Sequence, residues 1–155
     1  MGKGGALGWG LWFALAPLHA AGPALPLPVI WDSPACAHER IAAVEIDLGE
    51  RPSEITRDDK VPTVDYGRAM RRLAEAAAAQ GGNAVVLRQH QGVYFTLNGK
   101  RSRAPVYVKL RGAAIRLPDE ASQCTLRPVD VADLEALSRN GKPQNVSSRE
   151  AYGEK

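Results

Sequence analysis

The sequence predicts an α+β domain: a β-α-β-β unit in which a three-stranded mixed sheet carries one long helix on one face, followed by a short C-terminal helix. Three patterns support this prediction. Residues 40–48 alternate between apolar and polar positions, residues 65–80 have the period of an amphipathic helix, and residues 84–117 contain two β-rich runs on either side of Asn98-Gly99.

Residues 1–22 have the composition of a cleaved targeting segment. Lys3 supplies a positive start, residues 11–16 form an apolar middle, and Ala20 and Ala21 are small enough for a peptidase pocket. The apolar run is shorter than the roughly 20 residues that cross a membrane. We therefore expect a signal peptide and a periplasmic or secreted protein, with a retained amphipathic anchor as the alternative.

The next segment, residues 23–35, contains four prolines and is expected to form an extended leader that packs little against the domain. Cys36 follows it. Ser33 stands three positions before Cys36, where a bacterial lipidation signal has leucine, so a lipid anchor on this cysteine is not expected. The small α/β domain is predicted over residues 36–140.

The first strand, over 40–48, has one apolar face because every second residue is apolar: Ala42, Val44, Ile46 and Leu48. A polar loop over 50–62 leads to the helix over 65–80. The apolar residues of this helix recur at steps of four, three and four: Tyr66, Met70, Leu73 and Ala77. Thr63 or Asp65 is expected to cap its start and Gly81-Gly82 to end it.

The ribbon after the helix begins at residue 84 and turns at Asn98-Gly99, which favours a type I′ hairpin because both central positions need positive φ. Gly92 is expected to bend the first strand. The return strand, over 105–117, changes its apolar parity at Gly112. A one-residue bulge there would keep its apolar side chains on one face.

Two cysteines remain in the mature chain, Cys36 before the first strand and Cys124 after the third. The helix is expected to make a right-handed crossover between parallel strands, and the third strand returns antiparallel. These directions place both cysteines at the same end of the sheet. We therefore predict a disulfide between them, in keeping with an oxidising compartment.

A short helix is predicted over 130–140, with Val131, Leu134 and Leu137 on its inner side. Residues 141–155 are polar and are expected to be disordered.

The ribbon carries an uneven charge pattern. Between residues 88 and 116 no acidic residue interrupts the basic ones, and tyrosines lie among them. This pattern would suit binding of an anionic envelope component or an acidic partner protein, and contact with a membrane surface. Protection of a sheet edge by basic side chains is the alternative. Six residues form the predicted anionic-ligand site: Arg88, Lys100, Arg101, Arg103, Lys109 and Arg111.

Other chemistry has less support in the sequence. Cys36, His38 and Cys124 do not have a common metal-ligand spacing, although a periplasmic metal-binding protein remains an alternative. No catalytic motif, phosphate loop or dinucleotide fingerprint is present, so no cofactor and no catalytic residue are predicted. An envelope enzyme of unknown class is the second alternative. Nucleic acid is not an expected partner of an exported protein.

The stretch from residue 69 to 117 resembles the small α/β domain of RcsF-like and YbjQ-like proteins. The residues that carry the resemblance are an alanine-rich helix that ends in Gly81-Gly82-Asn83-Ala84-Val85-Val86, then Val106-Tyr107-Val108 and Gly112-Ala113-Ala114-Ile115. The resemblance implies the fold of this unit, and the rings of YbjQ-like proteins imply oligomers. It provides no ligand or site residue, because those of the family have no counterpart here. We expect a non-enzymatic binding or interaction module.

Overall fold

The computed structural model describes residues 25–51, 63–97, 100–119, 124–140 and 145–147. Along the chain its strands and helices are β1 Val29–Ile30, β2 Glu39–Gly49, α1 Tyr66–Ala79, β3 Ala84–Leu97, β4 Lys100–Arg101, β5 Tyr107–Arg116, α2 Val131–Asn140 and β6 Asn145–Ser147. The architecture is α+β with a mixed sheet, as the sequence predicts. The signal peptide, the Asn98-Gly99 turn and most of the polar loop over 50–62 lie outside the described residues.

The main sheet has four strands in the order β1-β3-β5-β2, so the prediction of three strands is wrong in this detail. β5 lies between β2 and β3 and is antiparallel to both. β2 and β3 therefore run in the same direction without touching, and α1 connects them. β4 and β6 pair with the far half of β3.

The fourth strand comes from the proline-rich leader, which was expected to pack little. Val29 and Ile30 pair parallel with Val85 and Val86 of β3, and both are almost completely buried. Their amide groups and β-branched side chains fit a strand between prolines that cannot donate hydrogen bonds themselves. Leu25 and Leu27 also pack against the core, so the leader is part of the packed domain from its first described residue onward.

Helix α1 forms as its sequence predicts. The Asp65 carboxylate accepts a hydrogen bond from the Arg68 amide at 2.7 Å, and Gly81 adopts a φ of +81° just past the helix end. Such a conformation suits glycine because a Cβ would crowd the backbone. All four residues of the predicted apolar stripe are buried, together with two more alanines: Tyr66, Ala69, Met70, Leu73, Ala74 and Ala77.

Side chains are buried on both faces of the sheet at one end. This burial explains the change of apolar parity at Gly112, and the prediction of a bulge in β5 at Gly112 is wrong. Leu110 and Ala114 of β5 belong to the helix-side core, whereas Ile115 and Leu117 belong to a second cluster. That cluster lies on the back face, defined here as the face of the sheet opposite α1. The parity change therefore marks the point where burial extends to both faces. The register shifts occur on the partner strands, between Leu87 and Gln89 and between Arg40 and Ala42.

The disulfide closes the back-face cluster. Cys36 and Cys124 are bonded to each other, with 5.5 Å between their Cα atoms, and both pack with Leu126 against the cluster. The predicted pairing is therefore present, and both cysteines lie at the same end of the sheet. The bridge fastens the segment before β2 to the segment after β5.

Helix α2 buries a different residue from the one expected. Leu134 is fully buried, but Leu137 is 52% exposed and Ser138 is buried in its place. Ser138 lies four positions after Leu134, so the two share a face, and its hydroxyl meets two buried tyrosines there. The expected tail also differs in part, because Asn145–Ser147 pairs with β3 as β6.

Candidate functional site

The structure separates the six predicted basic residues into different environments. Lys109 and Arg111 lie on the back face of β5, directly beside Glu45 and Asp47 of β2. Lys109 and Arg111 both form ion pairs with the Glu45 carboxylate, and the Lys109 ammonium lies 3.8 Å from Asp47. Arg51 also lies 3.8 Å from Asp47, so three positive side chains surround these two carboxylates, and both carboxylates are ion-paired within the chain.

The electrostatics of this group favour the ionised carboxylate. Hydrogen bonds from Lys109 and then from Arg111 hold the pKa of Glu45 below its ordinary value. Asp47 also accepts a hydrogen bond from the Tyr107 hydroxyl, and burial together with this bond raises the pKa of that tyrosine. Lys109 and Arg111 are therefore committed to their neighbours on β2, although their binding role stays a prediction.

Arg88 stands apart from the other basic residues. It is the extra residue at the register shift of β3, and its guanidinium donates to the Ser33 hydroxyl at 2.8 Å. This contact ties β3 to the leader close to β1. The structure does not bring Arg88 to the same place as Arg101 and Arg103.

Three arginines meet at the C-terminal end of α2, and we call them the arginine corner: Arg101, Arg103 and Arg139. The Arg101 guanidinium lies over the Tyr94 ring, 4.4 Å from its centroid, and donates to the Arg139 carbonyl oxygen. Arg139 donates in turn to the Arg103 carbonyl oxygen at 3.0 Å. These contacts hold the segment after β4 against the last turn of α2. Lys100 precedes Arg101 in β4.

The arginine corner rests on a buried cluster of hydroxyl groups. Tyr66 of α1 and Tyr94 of β3 both donate to the Ser138 hydroxyl, at 2.5 Å and 3.2 Å. Burial raises the pKa of Tyr66 far above its ordinary value, so its hydroxyl stays protonated. A Cβ on Gly92 would lie 2.3 Å from the Tyr66 oxygen, which explains why glycine is needed beneath this cluster. The cluster fixes α2 and Tyr94, and through Tyr94 it positions Arg101.

Two of the three guanidinium groups at the corner face solvent. Arg103 and Arg139 are exposed, and no ion pair joins either of them to a carboxylate among the described residues. Guanidinium groups bind phosphate and carboxylate groups through two parallel hydrogen bonds. Arg103 and Arg139 thus offer two exposed guanidinium groups to an anionic ligand. The neighbouring Arg101 is held in place by the buried Tyr94 ring.

A broad open groove of about 780 Å³ lies at the disulfide end of the sheet. Its polar side chains include His38, Glu39, Asn83 and Arg116, which have partners within the chain, and Asp119. Arg116 pairs with Glu39 at 3.2 Å and donates to the Gly81 carbonyl oxygen, while Asn83 exchanges two hydrogen bonds with the backbone of Leu117. His38 contacts the Cys36 carbonyl oxygen at 2.9 Å. Most polar side chains that line the groove are therefore already paired within the chain.

The metal-binding alternative receives no support from the positions of its residues. The sulfur atoms of Cys36 and Cys124 are bonded to each other and are not thiolate ligands. Within the described ranges there is no group of three or more His, Cys, Asp or Glu side chains that could hold a metal ion. None of the described helices is long and apolar enough to cross a membrane.

His90 is a partly buried histidine on the helix side of β3. It lies opposite Leu110, and the edge of its ring meets Trp31 with 6.3 Å between ring centroids. Its Nδ1 is buried and has no hydrogen-bond partner in the described part of the chain. Burial lowers the pKa of His90 below its ordinary value of 6.5, because the charged imidazolium would lose its hydration.

We expect the free energy of unfolding to fall as the pH is lowered through 6.5, and His90 to account for part of that fall. The unfolded chain takes up a proton on His90 near pH 6.5, whereas the folded protein keeps His90 neutral to lower pH. The unfolded state then binds more protons, so stability rises with pH across this window. His90→Gln is expected to flatten the profile.

Urea titrations at a series of pH values test this expectation, with Trp31 fluorescence as the probe. Trp31 is the single tryptophan of a chain that begins at residue 23, because the other two are Trp9 and Trp12. An exposed-histidine variant, His38→Gln, serves as the control and should keep the wild-type slope. A slope that is the same in the wild type and in His90→Gln would contradict the assignment.

The sequence predicted Arg101 and Arg103, with Tyr94 among the basic residues of the ribbon, but Arg139 and Ser138 were missed as their neighbours. The signal for Ser138 was its spacing of four residues from Leu134, which places a small polar side chain on the inner face of α2. No spacing in the sequence connects Arg139 with Arg103, since they meet only through the tertiary fold.

Comparisons with family models, with curated proteins and with solved structures find no match to this chain.

Proposed function

We propose that this protein is an exported, non-enzymatic binding module that holds an anionic component of the cell envelope at the arginine corner. The observation that carries the proposal is the exposed pair of Arg103 and Arg139, which lack a carboxylate partner among the described residues. The ligand class is the phosphate group of an anionic lipid at a membrane surface. The resemblance to RcsF-like and YbjQ-like domains agrees with an envelope role and rests on residues that support the fold.

The proposed compartment is the periplasm or the extracellular space. The predicted signal peptide over 1–22 supports export, and the disulfide between Cys36 and Cys124 fits an oxidising environment. A protein released there meets anionic lipid surfaces, which attract clusters of basic side chains.

The corner suits such a surface better than the back face of β5 does. Lys109 and Arg111 would have to leave the carboxylates of Glu45 and Asp47 before they could bind a ligand anion. Arg103 and Arg139 form no ion pair with a carboxylate among the described residues, so neither would have to leave one. Arg101 acts as a positioning residue, because its stacking on Tyr94 and its bond to Arg139 hold the corner in place.

Vesicle co-sedimentation tests the proposal with the double variant Arg103→Glu, Arg139→Glu. The wild type should bind vesicles of phosphatidylcholine that contain phosphatidylglycerol and should not bind phosphatidylcholine alone. Each basic residue near an anionic surface contributes about 1 kcal/mol, so removal of two should weaken binding by about thirtyfold or more. Added salt should weaken wild-type binding, because it screens the attraction.

The control is a variant with the same change in net charge, Arg71→Glu, Arg72→Glu, on helix α1. It should bind vesicles within a few-fold of the wild type. Trp31 emission and the melting temperature should show that both variants are folded. Equal loss of binding in the two variants would indicate a response to net charge alone, and unchanged binding in the corner variant would contradict the proposal.

A further inference from the structure

The two edges of the main sheet differ: among the described residues, a further segment of the chain pairs with β1 but none pairs with the outer side of β2. Beyond β1, the segment at Pro128 pairs antiparallel with Ile30, and its neighbours exchange hydrogen bonds with the chain: Trp31 donates to Arg127 at 3.0 Å and Val129 donates to Val29 at 2.8 Å. Proline lacks an amide hydrogen, so this edge ends there. In the described part of the chain, β2 pairs with β5 alone and leaves its other side without a strand.

β2 is a long strand to leave at an edge, and such strands offer a row of unpaired backbone groups to another chain. Val44 on its helix side is buried, whereas the apolar side chains of Ile41, Ile46 and Leu48 are only partly buried. The side chains in the middle of β2 are small, because Ala42 and Ala43 are adjacent there. The strand therefore has apolar surface that would be buried if a further strand were added.

Two copies of β2 that pair antiparallel would place opposite charges beside each other. The register with β5 skips Ile41, so Arg40 shares the back face with Ala43 and Glu45. If a two-fold axis passes through Ala43, Arg40 of each copy lies opposite Glu45 of the other copy. Directly opposite residues of unlike charge stabilise antiparallel pairs. Arg40 is exposed, and Glu45 is 39% exposed despite its bonds within the chain.

The position of α1 also permits this pairing. α1 packs on β2, β5 and β3 and so covers the helix side of its own sheet. A two-fold axis perpendicular to the sheet would place both copies of α1 on the same face of the continuous sheet, one on each side of the new strand pair.

We propose that β2 is a homodimer interface, at which two copies of this chain pair antiparallel around Ala43 and form one continuous eight-stranded sheet. The second copy is the occupant because the register centred on Ala43 satisfies both charged pairs at once. A peptide from another protein would meet the same edge without this two-fold match.

Sedimentation equilibrium and disulfide trapping test the proposal on the chain that begins at residue 23. The wild type should show a concentration-dependent monomer–dimer equilibrium. Arg40→Glu should weaken the dimer by about tenfold, since it turns two attractive cross-strand pairs into repulsive ones. In an antiparallel pair the two Ala43 Cα atoms are close enough for a disulfide, so Ala43→Cys should form a covalent dimer in air.

Ala132→Cys provides the matched control, because this exposed alanine on α2 lies away from β2. It should form little covalent dimer under the same conditions. A wild type that remains monomeric at all concentrations would overturn the proposal, as would equal trapping in the two cysteine variants. Retained trapping with an unchanged dimer constant in Arg40→Glu would overturn the pairing of Arg40 with Glu45, and with it the argument that a second copy is the partner of this edge.

Discussion

Replacing Cys36 and Cys124 together by serine is expected to lower the free energy of unfolding by about 4–5 kcal/mol, as the chain-entropy description predicts for a closed loop of this size. The two cysteines are 88 positions apart, so the bridge removes many conformations from the unfolded chain. Domains of this size have free energies of unfolding of about 5–15 kcal/mol. The variant should therefore lose about a quarter or more of its stability.

Urea unfolding followed by Trp31 fluorescence measures this loss. The wild type in a strong reductant should approach the stability of the double serine variant, because both lack the bridge. The wild type without reductant is the reference. If the variant unfolded at the wild-type urea concentration, the bridge would not restrict the unfolded chain as expected. The back-face cluster with Ile115 and Leu117 would then hold both segments by itself.

Leu73→Asp is expected to abolish folding. Leu73 is fully buried between α1 and the sheet, and its side chain lies close to Gly112 of β5. An ionised carboxylate in that position would lose its hydration without gaining a partner, which costs several kcal/mol and exceeds about 5 kcal/mol in the most buried sites. Circular dichroism should show no cooperative melting.

The same substitution at Leu137 is the matched control. Leu137 is 52% exposed on α2, so an aspartate there stays hydrated. Leu137→Asp should melt within a few degrees of the wild type. Cooperative melting of Leu73→Asp at the wild-type temperature would show that this face of α1 does not form the core.

The parts of the fold that the sequence predicted are those with a local pattern. The apolar stripe from Tyr66 to Ala77 and the alternation in β2 are visible in the residue spacing of one segment. The disulfide could be predicted because the sequence contains two cysteines. β1 was missed because prolines surround it and only two residues form the strand. Its partner is Val85-Val86 of β3, more than fifty positions away.

The electrostatic part of the candidate site was less accessible to sequence reasoning. The basic residues of the ribbon have no acidic neighbour along the chain, yet Glu45 lies beside Lys109 and Arg111 in space. The strand order brings the carboxylate of Glu45 to these basic side chains, and the strand order could not be predicted from the sequence. The arginine corner likewise depends on the contact of α2 with the segment after β4, and α2 was predicted with Leu137 inward in place of Ser138.

The proposed function depends most on where an anionic surface touches this protein. Titration of the ¹⁵N-labelled chain with short-chain phosphatidylglycerol, followed by amide chemical shifts, measures this directly. We predict that the largest changes fall on residues 101–104 and 138–140, at the arginine corner. Larger changes on Glu45, Asp47, Lys109 and Arg111, or no saturable change at any residue, would contradict the account.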